Sequence, residues 1–142
     1  MLFGDGKPSC FIIDPADTLP NLDEILNQND CTLDAIVLTH AHFDHISGVD
    51  KIVNKFGCDV YLNPNEFDFL LDPNLNSSSA FYMDVTCNAN AKPLIEGKNE
   101  IAGFEVEAIY CPGHSIGSTV LKIEDCLFTG DVLFQGSIGE LD

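Results

Sequence analysis

The sequence predicts an α/β fold, with helices packed on a parallel or mixed sheet, and three observations predict it. Through the first half, short apolar runs of strand length alternate with segments whose apolar residues recur at helical spacing. From about Phe104 onward, strand patterns dominate. Three of the four histidines also crowd directly behind one predicted strand, the end of an α/β sheet where ligands gather. At 142 residues the chain is read as one domain, residues 1–142, large enough to bury a real core.

Each element has a local reason. Phe11-Ile12-Ile13 reads as a buried strand stopped by Asp14-Pro15. Asn21 to Gln28 places Leu22, Ile25 and Leu26 at helical spacing, with Asn21 as cap and Asp23 and Glu24 in the first turn. Ala35 to Leu38 is a second buried strand. Ile46 to Phe56 is one helix, with Ile46, Val49, Ile52, Val53 and Phe56 on one face and Gly57 as its stop. Val60-Tyr61-Leu62 is a third strand, and Pro64 opens a short helix carrying Phe67, Leu70 and Leu71. Asp72 to Ala80 is a polar loop. Phe104 to Tyr110 alternates as a strand, and Thr119 to Ile123 with Cys126 to Thr129 forms a hairpin around Glu124-Asp125.

Composition narrows the partners. Six lysines and arginines face 23 acidic residues, for a formal charge of −17, which argues against nucleic acid because phosphate contacts need clustered cations. No apolar run approaches the ~18 residues of a membrane helix, so no membrane partner is expected. The first residues lack a basic region followed by an apolar core and are read as no secretory signal, hence a cytoplasmic chain. The six cysteines form no C-x-x-C pair, so a disulfide framework is not expected and most should be small buried residues. Cys111, beside Pro112 and His114, is the one with chemistry close by.

The chemistry sits in Thr39-His40-Ala41-His42-Phe43-Asp44-His45 and in Cys111-Pro112-Gly113-His114-Ser115-Ile116-Gly117-Ser118. If the first segment leaves its strand extended, His40 and His42 point to one side, because side chains repeat every two residues. Imidazoles at that spacing can share one cation. Asp44 and His45 begin the next helix, where the chain turns and aims two further ligands at a neighbouring position. His114 would complete a three-histidine site. Asp131, in Phe128-Thr129-Gly130-Asp131, lies past another strand end, and its two oxygens could bridge two cations.

H-x-H-x-D-H behind a strand, then P-G-H with G-S, then F-T-G-D resembles the metallo-β-lactamase fold superfamily, and within it the small glyoxalase II-like (hydroxyacylglutathione hydrolase-like) enzymes. The resemblance runs from about Ile12 to Gly139 and includes Leu133-Phe134 and Gly136-Ser137-Ile138-Gly139. It implies a metallo-β-lactamase-like αββα sandwich, incomplete at both ends. It places His40, His42 and His114 on a first metal and Asp44 and His45 on a second, with Asp131 bridging both. Asp14 is either an acid beside the metals or simply the turn that stops its strand. Thr39 and Ser118 support the backbone, and Gly113, Gly117 and Gly130 relieve strain beside the ligands.

The resemblance also implies departures. Family members supply one more metal-binding histidine from a strand past Asp142, often carry Arg at the position of Glu140 and Gly at that of Ala16, and have an N-terminal strand that is absent or reduced here. The expected activity is hydrolysis of a small-molecule thioester such as an acylglutathione, by a metal-activated water that Asp44 and Asp131 hold in place. The expected cofactor is Zn2+, one or two ions per chain, with Fe or Mn also compatible with imidazole and carboxylate ligands. A homo-oligomer would cover an exposed sheet edge. The alternatives are a mononuclear iron persulfide dioxygenase-like enzyme and a weakly active or inactive metal-binding member. A true β-lactamase is disfavoured, because those enzymes usually differ at the position of Asp131.

Overall fold

The computed structural model describes residues 2–3, 7–17 and 19–141. Of the N-terminal stretch read above as no secretory signal, residues 1 and 4–6 lie outside the described residues. The first sheet runs β1 (Leu2–Phe3), β2 (Lys7–Ile13), β3 (Thr32–Val37), β4 (Asp59–Leu62) and β5 (Ala91–Pro93), in that order across the sheet. β2 to β5 are parallel, and among the described residues β1 is a two-residue antiparallel flank. The connections carry α1 (Leu22–Gln28), α2 (Phe43–Ile46), α3 (Val49–Phe56) and the 3-10 turns Pro64–Leu70 and Ser78–Phe81. A second, antiparallel sheet follows: β6 (Gly97–Ile101), β7 (Phe104–Tyr110), β8 (Thr119–Ile123) and β9 (Cys126–Phe128). A small hairpin, β10 (Leu133–Phe134) with β11 (Ser137–Ile138), comes last.

β3 shows how one strand organises two cores. Leu33 and Ile36, with Leu38 just beyond, join Leu22, Leu26, Ile46, Val49 and Ile52 beneath the helices. Ala35 and Val37 face the other way, against Leu94, just past β5, and Ile101, Val106, Ala108 and Leu121 of the second sheet. Burial on both faces is why this strand reads as a continuous apolar run. The layers are therefore helices, sheet, sheet, and no helix among the described residues covers the outer side of the second sheet, as expected of an incomplete αββα sandwich. No helix of the described residues is long and apolar enough to cross a membrane.

Several local expectations change. The predicted Ile46–Phe56 helix is two helices: Ser47 Oγ donates to the Phe43 carbonyl at 2.6 Å and the Gly48 N–H leaves the helix to reach the Pro15 carbonyl at 2.9 Å. Its apolar face survives the break, since Ile46, Val49 and Ile52 are all buried, and Gly57 stops it in a left-handed conformation. In α1, Asn21 holds the cap position without a side-chain cap bond, and Ile25 is 44% exposed. The Pro64 helix is a 3-10 turn capped by the Asn63 side chain, which accepts from Asn65 N at 3.0 Å. Only two of the six cysteines, Cys58 and Cys87, are buried; Cys10, Cys31 and Cys111 are partly exposed and Cys126 is exposed. Cys58 and Cys87 belong to the core under the helices, and Cys10 and Cys31 pack against its margin. All six are free thiols.

Candidate metal centre

The centre forms where the loops behind β3, β7 and β9 meet. Past β3 the chain stays extended: His42 has φ −68° and ψ 150° before α2 begins. His40 and His42 thereby reach the same cavity, with ring centroids 4.8 Å apart, and His114 from the β7–β8 loop lies 4.9 Å from His40 and 4.7 Å from His42. Donor atoms of His40, His42 and His114 form one group in which all lie within 4.8 Å of one another, and those of Asp44, His45 and Asp131 form a second. One atom links the groups. Asp131 Oδ2 lies 3.2 Å from His45 Nε2, 3.2 Å from His114 Nε2 and 3.6 Å from His40 Nε2. The structure thus brings together all six residues singled out in the sequence.

Hydrogen bonds fix which nitrogens face inward. The Thr39 hydroxyl donates to Asp14 Oδ2 at 2.5 Å, so it accepts from His40 Nδ1–H at 3.0 Å. His45 Nδ1 lies 3.0 Å from Asp14 Oδ2, and His114 Nδ1 lies 2.8 Å from the Glu140 carbonyl, groups that accept. Three rings therefore spend Nδ1–H on the surrounding protein and turn Nε2 inward, the arrangement that orients metal-binding histidines. His42 differs, presenting Nδ1 at 3.0 Å from His114 Nε2. Asp14 satisfies both readings offered for it: it sits at positive φ (50°) where its strand stops, and its carboxylate also accepts from Thr39 N at 2.8 Å.

Charge follows from the same contacts. Burial and the neighbouring His45, His42 and His114 rings push His40 down to about 2, so it stays a neutral donor. Burial opposes charge on His45 too, but the Asp14 hydrogen bond and the charges of Asp14, Asp44 and Asp131 prevail and raise it to about 9. His40 Nε2 is the deciding atom: it is buried and has no hydrogen-bond partner. A buried polar atom left unmet is costly, and here it faces two more imidazole nitrogens and a carboxylate. The donor set fits a divalent transition-metal ion.

Motif reading missed Glu66. It is fully buried, and its carboxylate accepts from Ala41 N at 2.7 Å, from Gly117 N at 2.6 Å and from the Ser115 hydroxyl. It ties the histidine-rich loop to the loop bearing His114. The available signal was an acid three and four residues before the buried Phe69 and Leu70, on their face of the turn. Gly117 is needed for the approach, since a Cβ there would lie 2.7 Å from Glu66 Cγ. Gly130, at φ +53°, packs equally closely on Thr39. A cavity of about 610 Å³ opens over the centre, lined among others by Phe43, Asp44, Phe81 and Glu140.

The profile of the Metallo-beta-lactamase superfamily matches residues 2–142. The chain belongs to that superfamily. This metallo-β-lactamase superfamily chain is 41% identical over 138 residues to "Probable metallo-hydrolase YqgX" of Bacillus subtilis, with 94% of the chain and 65% of the relative covered. It is 29% identical to "Hydroxyacylglutathione hydrolase GloC" of Haemophilus influenzae, covering 99% of the chain and 69% of the relative. Among solved structures it superposes on the BLEG-1 B3 metallo-beta-lactamase with TM-score 0.85 and 39% identity, over 99% of this chain and 68% of that one. It superposes on TTHA1623 in a di-iron-bound form with TM-score 0.75 and 32% identity, over 92% and 65%. The chain thus spans about two thirds of the length of these proteins.

Proposed function

We propose that this superfamily chain is a metal-dependent hydrolase whose substrate is a small-molecule thioester of the acylglutathione kind. The observation that carries the metal-dependent hydrolase is the convergence of three imidazoles, His40, His45 and His114, on one oxygen of Asp131, each with its Nδ1–H held outside the cluster, and with His42 beside His114. His40, His42 and His114 would hold one ion, and Asp44, His45 and Asp131 a second, with zinc and iron both suited to these donors. Bound metal supplies an acidified water and polarisation of the acyl carbonyl. The chain's own residues do the rest. Thr39 and Asp14 keep His40 and His45 in register, and the Glu140 carbonyl keeps His114 turned inward. Asp131, and Asp44 on the cavity wall, would hold the attacking water in place. Phe43 and Phe81, with rings 5.2 Å apart, form an apolar wall for the substrate. A thiolate leaves readily because its conjugate acid has a pKa of about 8.5. The thioester choice is supported by the likeness to GloC.

The test compares the chelated chain with the same chain reloaded with zinc, iron or manganese on S-lactoylglutathione and other acylglutathiones. Metal-dependent release of glutathione is expected; a reloaded chain that cleaves no thioester faster than the chelated one removes the proposal. A second reading, β-lactam hydrolysis, is favoured by the 39% identity to the BLEG-1 B3 metallo-beta-lactamase. Opening of a chromogenic cephalosporin in place of thioester cleavage would establish it. Oxygen consumption with glutathione persulfide would instead point to the dioxygenase alternative.

A further inference from the structure

Away from the metal centre, two thiols meet. Cys10 lies on β2, and Cys31 immediately precedes β3; their sulfurs are 3.5 Å apart, and both residues are partly exposed. The approach is built by the fold. Ser9 pairs with Thr32 and Cys10 with Leu33 across the parallel strands, and a register shift follows Cys10. Cys31 is fixed from its other side, where its N–H donates to the Leu26 carbonyl at the end of α1 at 3.0 Å. The thiols therefore do not meet by chance rotation of free side chains; each backbone is held by its own hydrogen bonds.

We propose that Cys10 and Cys31 form an oxidisable dithiol site that hydroperoxides convert to an intramolecular disulfide. The chemistry balances in two steps. The Cys31 sulfur attacks one oxygen of the hydroperoxide, the O–O bond breaks, and the alcohol (or water, from hydrogen peroxide) leaves with the proton, giving a sulfenic acid on Cys31. The Cys10 sulfur then attacks the Cys31 sulfur, the S–O bond breaks, and water leaves with the Cys10 proton. Two thiols are oxidised by two electrons, and the peroxide bond takes both. Burial, the hydrogen bond with Cys31 and the charges of Cys31 and Asp34 push the Cys10 thiol up to about 12. Burial disfavours the Cys10 thiolate, so the first attack is written from Cys31; the two steps balance equally with the roles exchanged. The product bond ties β2, which runs into Asp14, to β3, which leads into Thr39 and His40.

The experiment treats the full-length chain with hydrogen peroxide, blocks remaining thiols with iodoacetamide, and maps peptides. Expected are a mass loss of about 2 Da from the two departing hydrogens and a Cys10–Cys31 linked peptide that dithiothreitol removes. In Cys10→Ser, the Cys31 sulfenic acid should persist and be trapped by dimedone. The oxidised chain should also melt roughly 5 to 10 °C higher, because the bond closes a loop around α1. Full alkylation of both thiols after peroxide, or linkage of either one to another cysteine instead, overturns the proposal. Mapping on the unmodified sequence decides it even if the serine variant fails to fold.

Discussion

Replacing Glu66 tests whether one buried carboxylate joins the two histidine-bearing loops. In Glu66→Gln the side chain keeps its shape but loses one acceptor. If the amide oxygen stays on Ala41 N, the NH2 faces the Gly117 N–H, donor against donor; the flipped amide strands Ala41 N instead. The Ser115 hydroxyl can turn, since Ser118 Oγ lies 2.8 Å away, so it adds little. One unmet buried N–H costs about 1 to 3 kcal/mol, and weakening the charge-assisted bond that remains adds about 1 kcal/mol. The expected loss is therefore about 2 to 4 kcal/mol. Glu66→Ala strands all three donors and leaves a cavity, for about 4 to 6 kcal/mol, a large part of the stability a domain usually has. Urea unfolding of the metal-free chain reads this directly. With a slope of about 2 kcal/mol per molar, the Gln midpoint should fall by about 1 to 2 M at unchanged slope. The folded Gln variant should also bind its first metal about 10 to 100 times more weakly, because His42 and His114 are no longer held in mutual register. A Gln midpoint within about 0.3 M of the parent, with metal affinity intact, would refute the account.

Three more outcomes follow from the same contacts. Thr39→Val removes the hydroxyl that accepts from His40 Nδ1 and donates to Asp14; metal affinity should fall about 10- to 100-fold by competition with a chromogenic chelator, and an unchanged affinity would show that the relay does not orient His40. His45, raised to about 9 in the metal-free chain, is protonated at pH 7 and must release that proton to offer Nε2 to an ion. Calorimetry in buffers of different ionisation enthalpy should therefore detect about one proton released at pH 7 and none well above 9, with the affinity of the second group falling about tenfold per pH unit on the acid side of 9. Gly117→Ala drives a methyl to 2.7 Å from Glu66 Cγ and should destabilise by about 1 to 3 kcal/mol in urea, whereas a neutral result would mean that the loop moves freely away from Glu66.

The parts of the fold legible from sequence were those buried on both faces or on one helical stripe. β3 and β4 were readable because their neighbours are apolar on either side. β6, with sequence Gly-Lys-Asn-Glu-Ile, was not: only Ile101 is buried, and the strand exists because it pairs with β7. Its turn hides as well. Ala102 and Gly103 both take positive φ, at 52° and 83°, so the tight hairpin rests on an alanine where asparagine would be the usual signal. β2 was seen only as Phe11–Ile13 because its first residues pair through backbone at the polar rim, which hydrophobic patterning does not register.

The candidate metal centre stands out in the sequence more than the scaffold that aims it, for a physical reason. Ligand chemistry restricts residue type severely, so histidines and acids at short spacing stand out even when their partners are distant in sequence. The groups that orient them face a weaker demand. An imidazole Nδ1–H can be met by a hydroxyl, a carboxylate or a peptide carbonyl, and this chain uses one of each: Thr39, Asp14 and the Glu140 backbone. The last carries no side-chain signal at all, so any residue at position 140 would supply the same acceptor. Where the family resemblance implies Arg, Glu140 accordingly changes the charge at the cavity rim while leaving the carbonyl that orients His114 in place. Glu66 is the intermediate case. Its role requires an acceptor with two oxygens and a reach across two loops, a demand visible in sequence only as an acid on an otherwise apolar face.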